Sequence, residues 1–119
     1  MPELLLIESR LSLCGWVKTT FSQHGCKVTR VLHVKQAERA LQQYNFDLVL
    51  IASEGVLPCM TDVRRLREST ALPLLVLMPN ATKANQTDLF RAGVDQLICD
   101  NIAREALWPQ VENLLNRKC

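Results

Sequence analysis

The sequence predicts an α/β fold in which helices cover both faces of a parallel β-sheet. Short aliphatic runs alternate with amphipathic segments of helix length along the chain, which is the pattern of repeated strand–helix units. The run Leu48-Val49-Leu50-Ile51 is apolar at consecutive positions, as is typical of a strand buried on both faces. Because crossovers between parallel strands are right-handed, such units build a doubly wound sheet.

Two strands and two helices are predicted before the central strand. The strands span 4–7 and 26–31, and the helices span 11–24 and 35–43. In the first helix, Val17 and Phe21 have the spacing of one apolar stripe. Ser9 is the expected N-cap of this helix, and Gly25 is expected to end it in the left-handed conformation.

Three strands and three helices are predicted in the rest of the chain. The strands span 47–52, 74–78 and 97–99, and the helices span 62–68, 82–92 and 102–116. Gly93 is expected to stop the second of these helices. Pro109 predicts a kink or a broken first turn in the last one, because proline cannot donate to the carbonyl four residues earlier.

Length and composition predict one soluble domain that fills residues 1–119. Hydrophobic residues make up 48% of the chain and charged residues 22%, which is ordinary for a globular protein. No apolar run approaches the roughly 20 residues of a membrane helix. The first residues lack a basic region, so they are interpreted as a strand and not as a signal peptide.

The cysteine pattern predicts a reducing, cytoplasmic location. The five cysteines are odd in number, scattered, and contain no Cys-x-x-Cys pair, which argues against disulfides and against a zinc site. We expect Cys14, Cys26 and Cys99 to be buried, whereas Cys59 and Cys119 are candidate reactive thiols.

The net charge of +2, with both signs interspersed, predicts no direct binding of nucleic acid by this domain. Arg64, Arg65 and Arg67 are expected to lie on a solvated helix face. The four glycines are dispersed and no Gly-rich loop follows a predicted strand, so the sequence offers no phosphate cradle for an enzyme.

Four segments together resemble the receiver (CheY-like) domain of bacterial response regulators, over essentially the whole chain. They are Leu4-Leu5-Leu6-Ile7-Glu8-Ser9, Asp47-Leu48-Val49-Leu50-Ile51, Arg64-Arg65-Leu66-Arg67 with the 72–77 run, and Ala92-Gly93-Val94-Asp95-Gln96-Leu97-Ile98. The resemblance implies a flavodoxin-like, five-stranded sheet in the order 2-1-3-4-5.

The resemblance also implies a phosphorylation site, and this chain departs from it at most positions. Receivers use acids after strand one to hold Mg²⁺, an aspartate after strand three to accept the phosphoryl group, and a Thr or Ser and a Lys after strands four and five. The matching residues here are Glu8 and Ser9, Ala52, Met78 and Asp100. The aromatic switch residue of strand five is replaced by Leu97.

We therefore expect a degenerate site with no catalytic residue, no bound metal and no cofactor, in a protein that is not an enzyme. Mg²⁺ requires several oxygen ligands in near-octahedral geometry, and Glu8, even with Asp100 nearby, is a poor cage. We expect both acids to be solvated at the ends of their strands.

The expected function is that of a phosphorylation-independent pseudo-receiver, a regulatory module for protein interaction or homodimerisation in signalling or transcription regulation. The resemblance implies an interaction face over 82–92, 97–99 and 103–117, with Phe90, Leu97 and Trp108 as candidate contacts. Phe90 and Trp108 are either exposed there or turned into the core. Trp16 is a further candidate contact.

The implied context includes a C-terminal DNA-binding output domain beyond this chain, and no membrane. An alternative function is a receiver-fold sensor that detects a small effector or a thiol modifier through the vacated pocket, motivated by Cys59 nearby. A further hypothesis is an enzyme or small-ligand binder of flavodoxin-like shape, which the dispersed glycines disfavour.

Overall fold

A computed structural model describes residues 2–8, 11–52, 60–78, 82–98 and 104–116 of the chain. Strands and helices alternate along it. The elements are β1 (Glu3–Glu8), α1 (Leu11–Gln23), β2 (Lys27–Val31), α2 (Val34–Gln43), β3 (Leu48–Ala52), α3 (Met60–Ser69), β4 (Leu74–Leu77), α4 (Lys83–Arg91), β5 (Gln96–Ile98) and α5 (Arg104–Asn116). Each element coincides with a predicted one, and the bounds differ by at most two residues.

The five strands form one parallel sheet in the order β2-β1-β3-β4-β5, as the resemblance implied. The first strand, β1, lies inside the sheet next to the terminal strand β2, and the later strands follow on its other side as far as the second terminal strand, β5. The architecture is the doubly wound, flavodoxin-like fold that was expected. The carboxyl ends of all five strands therefore lie together along one side of the sheet, which is called its carboxyl edge below and differs from the outer edges formed by β2 and β5.

Side chains of successive strand residues point to opposite faces, so the sheet separates two hydrophobic cores. One core contains Leu50, Phe21 of α1 and Val111 of α5, and the other contains Val49, Ala37 of α2 and Leu66 of α3. The central strand β3 contributes to both cores and is buried along its whole length. This double burial explains the consecutive apolar residues in its sequence.

Two glycines end helices as predicted. Gly25 follows α1 with φ 79°, and Gly93 follows α4 with φ 108°, a region that side chains with a Cβ rarely enter. Thr82 caps the other end of α4, where its hydroxyl accepts a hydrogen bond from the Asn85 N–H at 3.1 Å. Pro109 lies inside α5, whose helix continues through it without a break. The predicted N-cap Ser9 lies outside the described residues.

Arg67 corrects one expectation, because its side chain is held by the protein and not by solvent. The guanidinium donates hydrogen bonds to the carbonyl oxygens of Gly93, Thr70 and Leu72 at 3.1, 2.7 and 2.6 Å. Its neighbours Arg64 and Arg65 are exposed as expected. The sequence places three arginines on one helix, but only the position of Arg67 faces the loops around β4 and β5.

Candidate functional site

The candidate site is the part of the carboxyl edge of the sheet where β1, β3 and β4 end. Strand pairing sets Glu8 of β1 beside Ala52 of β3, and Ala52 beside Leu77 of β4. Ala52 thus lies at the end of the central strand between two neighbouring strand ends. In an open α/β sheet this is the position where ligands and reacting groups are usually found.

Ala52 and Met78 make this edge apolar. The two residues are only 6% and 4% exposed, and both belong to the hydrophobic cores. The Met78 N–H donates to the Ile98 carbonyl at 2.9 Å, which continues the pairing of β4 with β5 by one residue. A methyl group and a thioether offer neither a nucleophilic oxygen nor a hydroxyl donor at these two positions.

Glu8 corrects the expectation of a solvated acid, because its residue is only 1% exposed. Alternation along β1 explains the burial: Leu4 and Leu6 point into the core beneath α1 and α5, and Glu8 follows them on the same face. Sequence alone suggested solvent because charged residues at strand ends are usually exposed.

The other predicted site residues, Ser9 and Asp100, lie outside the described residues, as do Cys59 and the rest of the segment after β3. Among the final residues of the five strands, Glu8 supplies the one carboxylate. Within the described part of the chain, no group of three metal-ligating side chains comes together. The described residues of this edge therefore do not fit a magnesium site, which needs several oxygen ligands.

The three candidate contact residues of the interaction face have different environments. Phe90 of α4 is 49% exposed. Leu97 of β5 is partly buried and packs against the core beneath α2, α3 and α4. Trp108 of α5 is partly buried and packs against the opposite core. Trp16 lies in α1, and its side chain is outside the described residues.

Trp108 is directed toward α1 and not toward α4. Its indole stacks on the His24 imidazole, with ring centroids 4.5 Å apart and an angle of 5° between the planes. The ring of Phe21 lies 6.4 Å away on the same side. Trp108 therefore joins α5 to α1, which leaves Phe90 as the exposed aromatic residue among the three candidates. No sequence signal indicated the stack, because His24 and Trp108 are far apart in the chain.

Two aspartates form hydrogen bonds at the amino ends of the strands, on the side of the sheet opposite to the candidate site. The Glu3 N–H donates to Asp47 Oδ2 at 2.8 Å, and the Asp47 N–H donates to the Glu3 carbonyl at 2.7 Å. Asp95 Oδ2 accepts from the Leu74 N–H at 2.8 Å. Both aspartates precede a strand and fix its register, so neither takes part in the candidate site.

Within the described ranges, no helix has the length and apolar character needed to cross a membrane.

Comparison with known proteins gives one curated relative. The uncharacterized transcriptional regulatory protein YclJ of Bacillus subtilis (strain 168) is 23% identical over 118 residues, covering 97% of this chain and 51% of YclJ. The chain thus spans about half the length of that relative. No model of a protein family matches the chain.

Solved structures match over nearly the whole chain. The receiver domain of the Francisella response regulator 1452 superposes with a TM-score of 0.85 at 20% identity, with all of both chains covered. A two-component response regulator from Clostridium difficile gives 0.86 at 17% identity, covering 99% of this chain and 98% of its own. HP1043, an orphan response regulator of H. pylori, gives 0.81 at 23% identity, covering 96% of each. These likenesses show that the chain has the receiver fold.

Proposed function

We propose that this chain is a receiver domain of a bacterial response regulator that works without phosphorylation, as a regulatory module for protein interaction. The observation that carries the proposal is Ala52, a buried methyl group at the end of the central strand. Phosphoryl transfer to a protein needs a side chain with a nucleophilic atom, and alanine has none. The receiver fold and the transcriptional regulatory relative support the signalling context.

The neighbours of Ala52 support the same proposal. Transfer of a phosphoryl group depends on cations and hydrogen-bond donors that neutralise its developing charge. Met78 is a buried apolar residue at the position that matches the Thr or Ser of receivers. Leu97 is an aliphatic residue at the position that matches their aromatic switch residue. At Ala52 and Met78, a phosphoryl group would meet hydrocarbon where receivers offer polar contacts. The chain itself would then be no enzyme.

The proposed interaction surface is the α4–β5–α5 face, and Phe90 is its anchor. A phenyl ring that is half exposed contributes binding energy when a partner covers it, and aromatic residues are enriched in interface cores. Lys83, Asp88 and Arg91 are exposed on the same helix and supply charges of both signs. A surface with both signs can pair with a second copy of itself across a two-fold axis. We propose a homodimer formed in this way.

The first experiment tests phosphorylation. The purified chain is incubated with acetyl phosphate and Mg²⁺, and its intact mass is measured, beside a receiver domain that retains the aspartate. We expect a phosphoryl adduct on the control and none on this chain. A stable adduct on an Asp or Glu of this chain would disprove phosphorylation independence.

The second experiment tests the interaction face. Light scattering after size exclusion measures the mass of the chain over a range of concentrations, for the wild type, Phe90→Glu and Tyr44→Glu. Tyr44 is a matched control because it is exposed, at 63%, and ends α2 on another surface. We expect dimers for the wild type and Tyr44→Glu, and monomers for Phe90→Glu. Dimers of equal stability in all three would exclude this face.

A further inference from the structure

Positive charge is concentrated in the chain segment around β2, the terminal strand at one edge of the sheet. The segment 11–43, which forms α1, β2 and α2, contains five basic residues and a single acid, Glu38. The rest of the chain has nine basic and eleven acidic residues, so the net charge of +2 divides into +4 for this segment and −2 for the remainder. Because α1 and α2 both pack against the terminal strand β2, the positive charge is concentrated at one edge of the molecule.

The basic side chains of this edge are little used by the fold. Within the described residues, Lys18, Arg30, Lys35 and Arg39 form no ion pair, and the one pair of Lys27, to Glu3, is long at 3.8 Å. Such an exposed pair contributes little to stability. The acid of the segment is already occupied, because Glu38 Oε1 lies 3.1 Å from Arg65 Nε. The local positive charge is therefore available to a partner.

The backbone of β2 offers hydrogen bonds at the same edge. β2 is a terminal strand, paired on one side with β1. The Lys27 N–H donates to the Pro2 carbonyl at 2.9 Å on the β1 side. Since successive residues of a strand direct their backbone groups to alternate sides, Val28 and Arg30 direct their N–H and C=O groups outward. Leu32, the residue that follows β2, is 40% exposed at the same edge.

We propose that the outer edge of β2 binds an extended, acidic segment of a partner protein, which adds a strand to the sheet. Strand addition supplies backbone hydrogen bonds to Val28 and Arg30, and the surrounding lysine and arginine side chains select for carboxylates. The chemistry favours a peptide over nucleic acid, because an unpaired strand edge matches a peptide backbone. This surface lies at the opposite end of the sheet from the proposed α4–β5–α5 face.

The test uses the 119-residue chain labelled with ¹⁵N and a capped peptide in which glutamate alternates with valine. Amide hydrogen exchange is followed by NMR as the peptide is added. We expect about tenfold slower exchange at the Val28 and Arg30 amides, with little change at Lys27, whose amide is already bonded. A peptide with lysine in place of glutamate should not bind. Equal binding of both peptides, or unchanged exchange at Val28 and Arg30, would overturn the proposal.

Variants separate this surface from the other one. The double substitution Lys35→Gln and Arg39→Gln should weaken binding of the glutamate peptide about fivefold to tenfold. The control Lys83→Gln and Arg91→Gln removes two exposed charges from α4 and should leave that affinity unchanged, even where it disturbs a dimer. Preferential binding of a DNA duplex, lost in the first variant while the peptide does not bind, would replace this proposal with a nucleic-acid site.

Discussion

The Arg67 guanidinium of α3 lies against the carboxylate of Asp95, the residue that precedes β5, with Nη1 2.9 Å from Oδ2. The same Asp95 oxygen accepts the Leu74 N–H at the start of β4. Asp95 thus connects α3 with the first residue of β4 and with the residue that precedes β5. Arg67, Leu74 and Asp95 all lie in segments that carried the family resemblance. Part of that resemblance therefore reflects folding and not function.

Replacing Arg67 with alanine should lower the free energy of unfolding by about 2–3 kcal/mol. The loss removes donors from three carbonyl oxygens, whereas the ion pair itself contributes less because the Asp95 side chain is 44% exposed. Urea denaturation measures the change. Arg64→Ala, on the exposed side of the same helix, should stay within about 0.5 kcal/mol of the wild type. Equal effects of the two variants would contradict the structural role of Arg67.

Gly93→Ala should be more destabilising than Gly25→Ala. Both glycines have positive φ, so each substitution carries a backbone cost of about 1–2 kcal/mol. A Cβ on Gly93 would also lie 2.5 Å from Arg67 Cδ, whereas a Cβ on Gly25 meets nothing within 4 Å. The Gly93 variant must therefore displace the arginine and lose its hydrogen bonds. Thermal unfolding of the two variants checks this order, and a Gly25→Ala variant as unstable as Gly93→Ala would refute it.

Trp108→Ala should cost about 2–3 kcal/mol of unfolding free energy, while Phe90→Ala should cost less than about 0.5 kcal/mol. Trp108 packs against Phe21 and stacks on His24, so its loss opens a gap between α1 and α5. Phe90 is exposed and leaves no such gap. Chemical denaturation at low protein concentration, where a dimer adds no stability, compares the two. A large loss in the Phe90 variant would mean that its ring packs within the monomer.

Stability should fall as the pH rises above about 9, with Cys26 contributing. Burial raises the pKa of the Cys26 thiol above its ordinary value of 9.0, the positive N-terminus lowers it, and the negative charge of Asp47 raises it further. Above that pH the unfolded thiol releases its proton while the folded thiol still holds it, so deprotonation favours unfolding. Urea denaturation at about pH 8 and pH 10 measures the fall. The fall should be smaller in Cys26→Ala, and an equal fall would exclude Cys26 as a source.

Local structure was predicted best from the sequence where it leaves a pattern within a few residues of the chain. The consecutive apolar residues of β3, the helical spacing of Val17 and Phe21, and the glycine stops at Gly25 and Gly93 all predicted local structure that the fold confirms. Each of these signals lies within a few residues, because strand pleat, helix period and backbone sign are local properties.

Environments that depend on distant residues were predicted less well. Glu8 was expected in solvent and is buried, because the burial of a strand end depends on the elements packed over it. Trp108 could have faced either the core or the proposed interface, and the choice depends on its stack with His24. Arg67 differs from Arg64 only in the direction that its helix gives it.

By itself, then, the sequence determined the order of elements, the double burial of the central strand, and the identity of the alanine at its end. These follow from residue type and spacing, which need no knowledge of neighbours in space. Only the tertiary structure decided that Ala52 lies beside a buried Glu8, that Phe90 is exposed while Trp108 is packed, and that the positive charge of 11–43 gathers at the β2 edge. Those relations arise when strand pairing and helix packing bring together residues that are far apart in the chain.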